Sequence, residues 1–289
     1  MDLGALKIFV AVAEAGSISQ AARRLDYVQS NVTARIKHLE DELDTLLFYR
    51  KKRGMALTPA GRTLLPYAAR LLHLAREARR AVQDSKCGQG SLTIGAMETT
   101  AAVRLPSILA KYHQAFPDVE LTLLTGTSED LIARVLDYSL DGAFVGGAIM
   151  HPDIEQEPVF DEELVFVTAQ HVAALDALPQ RTMLVFRQGC TYRLRLEQLL
   201  RETGIAPLKI MEFGTVEAIL GCVAAGMGVT LFPRSLLAHS PYRDMLRLHP
   251  APARLAHVPT MFIRHRDTLY TRALEAFIEL VRQSAACVV

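Results

Sequence analysis

The sequence is short of the features that mark most catalytic, secreted or membrane-bound chains. It has only four cysteines (Cys87, Cys190, Cys222 and Cys287), far apart and without metal-ligand spacing, which argues against a disulfide framework or a zinc site and for reduced thiols. Nine histidines occur, yet none falls in a His-Glu-x-x-His unit, and there is no Gly-x-Ser-x-Gly elbow. Glycine-rich nucleotide fingerprints and a P-loop lysine are absent too, so no cofactor, no metal and no enzymatic activity are expected. The longest apolar run, residues 218 to 232, is interrupted by Gly221, Gly226 and Gly228 and is too short to span a bilayer. The opening MDLGALKIFVAVAEAG carries Lys7 and Glu14 inside its apolar stretch and reads as an amphipathic helix instead of a leader, so the expected location is the cytoplasm with no membrane partner.

What is present is an ordinary globular composition, 50% hydrophobic and 22% charged over 289 residues, enough for two or three full cores. A net charge of +1 conceals an asymmetry. Residues 1 to 87 hold 15 Lys+Arg against 9 Asp+Glu, a balance of +6; the remainder holds 17 against 22, a balance of −5. A basic head on a mildly acidic body predicts that only the head meets a polyanion.

The head is organised around residues 17 to 40. Ser17 followed by Gln20 has capping-box spacing and starts a helix with Ala21, Ala22 and Leu25 on its apolar side. Asp26 and Tyr27 break the pattern. A second helix then places Val28, Val32, Ile36, Leu39 and Leu43 on one inward stripe. Its other face carries Ser30, Thr33, Ala34, Lys37 and His38, flanked by Gln29, Asn31 and Arg35, with no carboxylate before Glu40. Small polar groups near the helix start suit base edges, while Arg35 and Lys37 suit phosphates. An ordinary solvated face has the same composition, and the neighbours decide between them.

Before this pair, Leu3, Leu6, Phe9, Val10 and Ala13 predict a supporting helix. After it, Arg50, Lys51, Lys52 and Arg53 run into Gly54, predicting a hairpin with a cationic tip that clamps a backbone or minor groove. Thr58-Pro59 starts a further helix. Along it Leu64, Ala68, Leu71, Ala75, Ala78 and Val82 alternate steps of four and three, a seam for a second copy of the chain. Gly88 and Gly90 close that helix in a hinge.

From Ser91 onward, short apolar runs alternate with helical stretches, an α/β pattern of parallel sheets. Ligands in such folds sit beyond strand ends. Three stretches fit: Glu98, Thr99 and Thr100; the loop from Arg187 to Arg193; and Gly214 to Glu217 with Thr215. The threonines offer hydroxyls, Arg187 or Arg193 a carboxylate site, and Glu98 or Glu217 an amine site, so an amino acid or other small amine or acid is the expected ligand. Helix caps and solvated charges would use the same residues. Cys190, near Arg187 and Arg193, is a candidate redox thiol with Cys222 as resolving partner, or a buried wall residue.

The segments AVAEAGSISQAARRL, QSNVTARIKHLEDEL and LFYRKKRGMALTPAGRTLL, followed by the α/β region, resemble a LysR-type transcriptional regulator nearly end to end. The resemblance implies a winged helix-turn-helix over 1–58, a dimerising linker helix over 59–87, a hinge at 88–90, and an effector domain over 91–289. That domain would have two Rossmann-like subdomains shaped like a periplasmic binding protein, about 91–160 plus 265–289 and about 161–264. By position, Gln29, Ser30, Thr33 and Lys37 fall where family members touch DNA. A near-palindromic double-stranded operator, a small-molecule effector, a homodimer or homotetramer and, for an activator, RNA polymerase are the implied partners. The chain departs from the family at Val28, Gln29, Ser30 and Ala34, where many relatives have Ser-Gln-Pro and a following arginine; that loss removes a guanine contact. The competing reading is a solute-binding protein, which would share the sensor fold without the basic head.

Overall fold

The computed structural model describes residues 1–51, 54–83, 90–175, 182–202, 209–238, 240–268 and 270–286. They form two compact units, residues 1–85 and 86–289. Lys52, Arg53, the hinge residues Gly88 and Gln89, Cys87 and Cys287 lie outside the described residues, as do the side chains of Lys51 and Val82.

The first unit contains α1 (Leu3–Ala15), α2 (Ile18–Leu25), α3 (Gln29–Glu42), the hairpin β1 (Phe48–Lys51) and β2 (Gly54–Leu57), and α4 (Pro59–Gln83). Leu6, Phe9 and Val12 of α1 meet Ala21 and Ala22 of α2, Val32, Ile36 and Leu39 of α3, and Ala68 of α4 in one buried cluster. The expected inward stripe of α3 holds at its centre and fails at both ends. Val28 is 69% exposed because it is the extended residue before the helix, and Leu43 is 38% exposed at the C-cap.

Thr58 Oγ1 accepts from Gly61 N at 3.0 Å, capping α4 as the sequence indicates. The seam on α4 is displaced, however. Leu64 and Ala68 pack on this unit's own core, and the apolar residues left outward are Tyr67, Leu71 and Leu74, with Ala78 one turn further.

The second unit contains β3 (Gly90–Ala96), α5 (Glu98–Val103), α6 (Leu105–Ala115), β4 (Val119–Thr125), α7 (Ser128–Leu136), β5 (Gly142–Gly146), β6 (Ile154–Ala169), β7 (Thr182–Phe186), α8 (Thr191–Glu202), β8 (Lys209–Phe213), α9 (Val216–Ala224), β9 (Thr230–Pro233), α10 (Arg234–Leu237), β10 (Leu246–Pro250), α11 (Ala253–Ala256), β11 (His257–His265) and α12 (Arg272–Ala286). β3 lies parallel to β4 and β5, and β7 parallel to β8. The long strands β6 and β11 run antiparallel through the unit and join its two halves; β9 and β10 flank the C-terminal part of β6, also antiparallel. The sheets are therefore mixed, not purely parallel.

A β-bulge between Thr260 and Met261 marks the crossing, and β11 already pairs with β5 from Thr260 onward. The switch in pairing thus falls at Thr260, within the strand that both halves share. One apolar cluster, with Phe144, Phe160, Phe262 and Phe277, fills the first half; a larger one extends from Leu131 and Val145 into the second half through Val165, Leu184, Leu196 and Leu231.

Candidate functional site

Two surfaces carry the chemistry, one in each unit. In the first, Ser17 caps α2 by accepting from Gln20 N, and Asp26 ends that helix in the left-handed region at φ 56°. This tight corner sets α3 against α1 and α2. Gln29, Ser30, Asn31, Ala34, Arg35, Lys37 and His38 are exposed, and Thr33 is half-buried. The Thr33 hydroxyl donates to the Gln29 carbonyl at 2.9 Å, which fixes its rotamer and leaves its lone pairs outward. Arg35 is not free: its guanidinium lies 3.1 Å from Asp2, whose carboxyl is held below the usual range by the Ala5 N–H and then by Arg35 itself. Among the described residues Lys37 is exposed and has no ion pair, unlike Arg35.

Glu40 is buried at the far end of α3. Its Oε1 accepts from Leu47 N at 2.7 Å and Phe48 N at 3.1 Å, so α3 holds the first strand of the hairpin directly. Met55 N donates to Gly16 O at 2.8 Å on the other strand. Gly54 must be glycine there: its φ is 128°, and a Cβ would stand 2.5 Å from Gly16 O. Arg50 is exposed on β1.

In the second unit, a cavity of about 200 Å³ opens beyond the ends of β3, β4, β7 and β8. Glu98, Thr99, Arg187 and Cys190 line it, together with Met97, Thr125, Gly126, Thr127, Ser128, Phe186, Tyr192, Phe213 and Gly214. Thr100 is buried but does not reach the cavity. Thr215 and Glu217 are exposed on α9, where Thr215 accepts from Ala218 N as a helix cap. Arg193 is also elsewhere: it bonds Glu212 at 2.7 Å, Glu197 at 3.0 Å and the Phe186 carbonyl at 3.3 Å, tying α8 to β7 and β8. Of the eight sequence candidates, four converge.

The residues from Thr125 to Ser128 follow a strand end just as Glu98 to Thr100 do. They escape that reading because Thr127-Ser128-Glu129-Asp130 also spells an ordinary helix cap, which Thr127 indeed provides to Asp130 N. The walls meet behind the cavity, where Thr191 Oγ1 bonds Ser128 Oγ at 3.0 Å and the Gly146 carbonyl at 3.1 Å. At the rim Arg187 is ion-paired with Asp130. Tyr192 is fully buried with its phenol pushed up by desolvation, and it faces Thr99 without closing a hydrogen bond of normal geometry. Thr99 Oγ1 is thereby left buried and unpartnered.

Residues 3–62 match the family model for the bacterial regulatory helix-turn-helix of the lysR family, and residues 87–286 match the LysR substrate binding domain. The chain belongs to the LysR family of transcriptional regulators. It is 49% identical to the HTH-type transcriptional regulator GltR of Bacillus subtilis (strain 168), over 98% of this chain and 96% of that one. It is 45% identical to the HTH-type transcriptional regulator SoxR of Arthrobacter sp. (strain TE1826), over 98% of each chain. Among solved structures, CbnR, a LysR family transcriptional regulator, aligns with a TM-score of 0.68 at 26% identity, covering 99% of both chains. CbnR complexed with its target DNA aligns at 0.66, also at 26% identity, over 98% of this chain and 100% of that one. As a LysR-family regulator this protein is a DNA-binding transcription factor with an effector-binding domain. Among the described residues no helix is long and apolar enough to cross a membrane.

Cys190 in this regulator does not have the environment that its neighbours in sequence suggest. Burial pushes its thiol up, outweighing backbone N–H groups of Arg193 and Tyr192 and the Arg193 charge. Arg187 and Arg193 are turned to Asp130 and Glu212, so neither generates a thiolate. Alkylation of native protein by iodoacetamide at pH 7.5 is expected to spare Cys190 and to label it fully only in denaturant; rapid labelling of the folded chain, read by mass spectrometry, would restore the redox reading.

Proposed function

We propose that α3 enters the major groove of a near-palindromic operator, with Gln29, Ser30, Asn31 and Thr33 toward base edges and Lys37 on a phosphate, while the hairpin from Arg50 through Lys51, Lys52 and Arg53 clamps the adjacent backbone. The observation that carries this is the exposed face of α3, polar or cationic from Gln29 to His38 and held rigidly from behind by Val32, Ile36 and Leu39. Two chains pair through the outward stripe Tyr67, Leu71, Leu74 and Ala78 of α4, placing two recognition helices about 34–36 Å apart. Two such dimers form a tetramer on DNA, and an activating complex would engage RNA polymerase. A small effector occupies the cavity around Thr99 and biases the arrangement of the two halves joined by β6 and β11. The protein acts in the cytoplasm, without an enzymatic step.

The test is a gel-shift titration on DNA upstream of the protein's own gene, against scrambled competitor. Wild type is expected to prefer the native fragment. Thr33→Ala should weaken it by about 1 kcal/mol, the scale of one lost base contact. Lys37→Ala should weaken native and scrambled DNA alike and lower the slope of log K against log salt by about 0.9. Silent substitutions would make α3 a structural helix only.

The alternatives fare worse on specific observations. A redox sensor at Cys190 meets a thiol raised by burial, and a stand-alone solute-binding protein does not account for the helix-turn-helix that precedes the sensor.

A further inference from the structure

We infer that the cavity takes a small ligand bearing a positively charged amine, with Glu98 as its counter-ion; this rests on reading that cavity as the effector site. The cavity lining holds one acid, Glu98, and one base, Arg187. The base is spent, since Arg187 pairs with Asp130 at the rim. Arg193, the other nearby cation, is bonded outward to Glu212 and Glu197. Glu98, half-buried, has neither an ion pair nor a hydrogen bond to its carboxylate among the described residues. A carboxylate with no cation beside it in a half-enclosed cavity attracts a cationic group.

The remaining lining supports the same class. Tyr192 and Cys190 add no charge to the lining, and burial pushes both groups further up. Phe186, Phe213 and Met97 supply apolar and aromatic surface, and aromatic faces attract ammonium groups. The unpartnered Thr99 hydroxyl, 4% exposed, adds one neutral hydrogen-bonding point. An anionic ligand would share the Arg187 guanidinium with Asp130 and would face the Glu98 carboxylate. At about 200 Å³ the cavity is below the usual range for drug-sized ligands, so the amine has a compact body.

The experiment measures binding of three probes of one skeleton, n-butylammonium, butyrate and 1-butanol, to the full-length protein by calorimetry and thermal shift at matched ionic strength. Wild type is expected to bind n-butylammonium, with butyrate and 1-butanol at least tenfold weaker. Glu98→Gln should weaken the ammonium tenfold or more, and Glu98→Asp, keeping the charge, should weaken it less. Gly214→Leu is chosen to narrow the cavity: Gly214 is one of its lining residues, and a Cβ there meets nothing within 4 Å. It should abolish binding with an unchanged melting temperature in the absence of ligand. Preference for butyrate that Gly214→Leu removes would overturn the ligand class and leave the site standing. Ammonium binding that survives both Gly214→Leu and Glu98→Gln would overturn the reading of the cavity as its site, and no binding of n-butylammonium to wild type would overturn the class.

Discussion

Replacing Arg104 by alanine is expected to destabilise the effector domain by about 3–5 kcal/mol, the usual loss when one partner of a buried ion pair is removed. Arg104 follows α5, and its Nε lies 2.7 Å from Glu162 Oε1, with the two side chains 14% and 6% exposed. Ser235 of α10 donates to the other Glu162 oxygen at 2.7 Å, and the Arg104 guanidinium stands 5.4 Å from the centroid of the Phe160 ring. One buried carboxylate on β6 thus gathers α5 from the first half and α10 from the second, beside the crossing of β6 and β11. Without the guanidinium it would keep, among the described residues, the Ser235 hydroxyl and no charge partner. The loss corresponds to a fall of roughly 10 °C or more in the effector-domain transition, read by calorimetry on the full chain. Adding Glu162→Gln to Arg104→Ala removes the orphaned charge and should recover at least half of the loss. A single variant that melts within 2 °C of wild type would show the pair to be dispensable.

The same pair bears on signalling. α5 is one and a half turns long, with Thr99 in the cavity at its start and Arg104 in the ion pair just past its end. If the proposed effector shifts Thr99, α5 is the element through which the Glu162 junction would be reached, and a double-mutant cycle between Thr99→Ala and Arg104→Ala read on ligand affinity would measure that coupling.

How far the sequence discloses all this depends on how local each signal is. Val32, Ile36 and Leu39 are legible as core because the helical period repeats through them, whereas Val28 and Leu43 share the period but sit where the chain enters and leaves α3. On α4, Leu64 and Ala68 satisfy the same heptad spacing as Leu71, yet they meet the cores of α1 and α3, and spacing does not say whose core a stripe faces. The first half of β6 reads as polar, since Glu155, Gln156, Glu157 and Asp161 lie among its apolar residues; their partners come from β11, about a hundred residues later. β10 is equally obscure, its Leu-Arg-Leu-His-Pro too short to show a period.

At the cavity, strand-end logic finds Glu98, Thr99, Arg187 and Cys190 because loops after parallel strands converge. It misplaces Arg193, Thr215 and Glu217, since whether a charge or hydroxyl faces the cleft depends on one competitor: Glu212 for Arg193, and the helix's own Ala218 N–H for Thr215.

Glu40→Ala is expected to separate the two halves of DNA recognition, and the reason lies in what Glu40 holds. Its carboxylate accepts the Leu47 and Phe48 N–H groups, and charged hydrogen bonds contribute about 1.5–3 kcal/mol each. The variant should therefore lose about 3 kcal/mol of stability in the N-terminal unit and leave two buried donors without an acceptor. α3 itself is kept by Val32, Ile36 and Leu39, which share a buried cluster with Phe9 of α1. What loosens is the attachment of β1, and with it the placement of Arg50 and the cationic tip. Operator affinity should fall at least tenfold, with the preference of native over scrambled DNA retained, because the proposed docking assigns base reading to α3 and backbone clamping to the hairpin. Glu40→Gln, which keeps one acceptor oxygen, should fall between. Loss of sequence preference along with affinity would mean that the hairpin also orients α3, and base reading could then not be assigned to that helix alone.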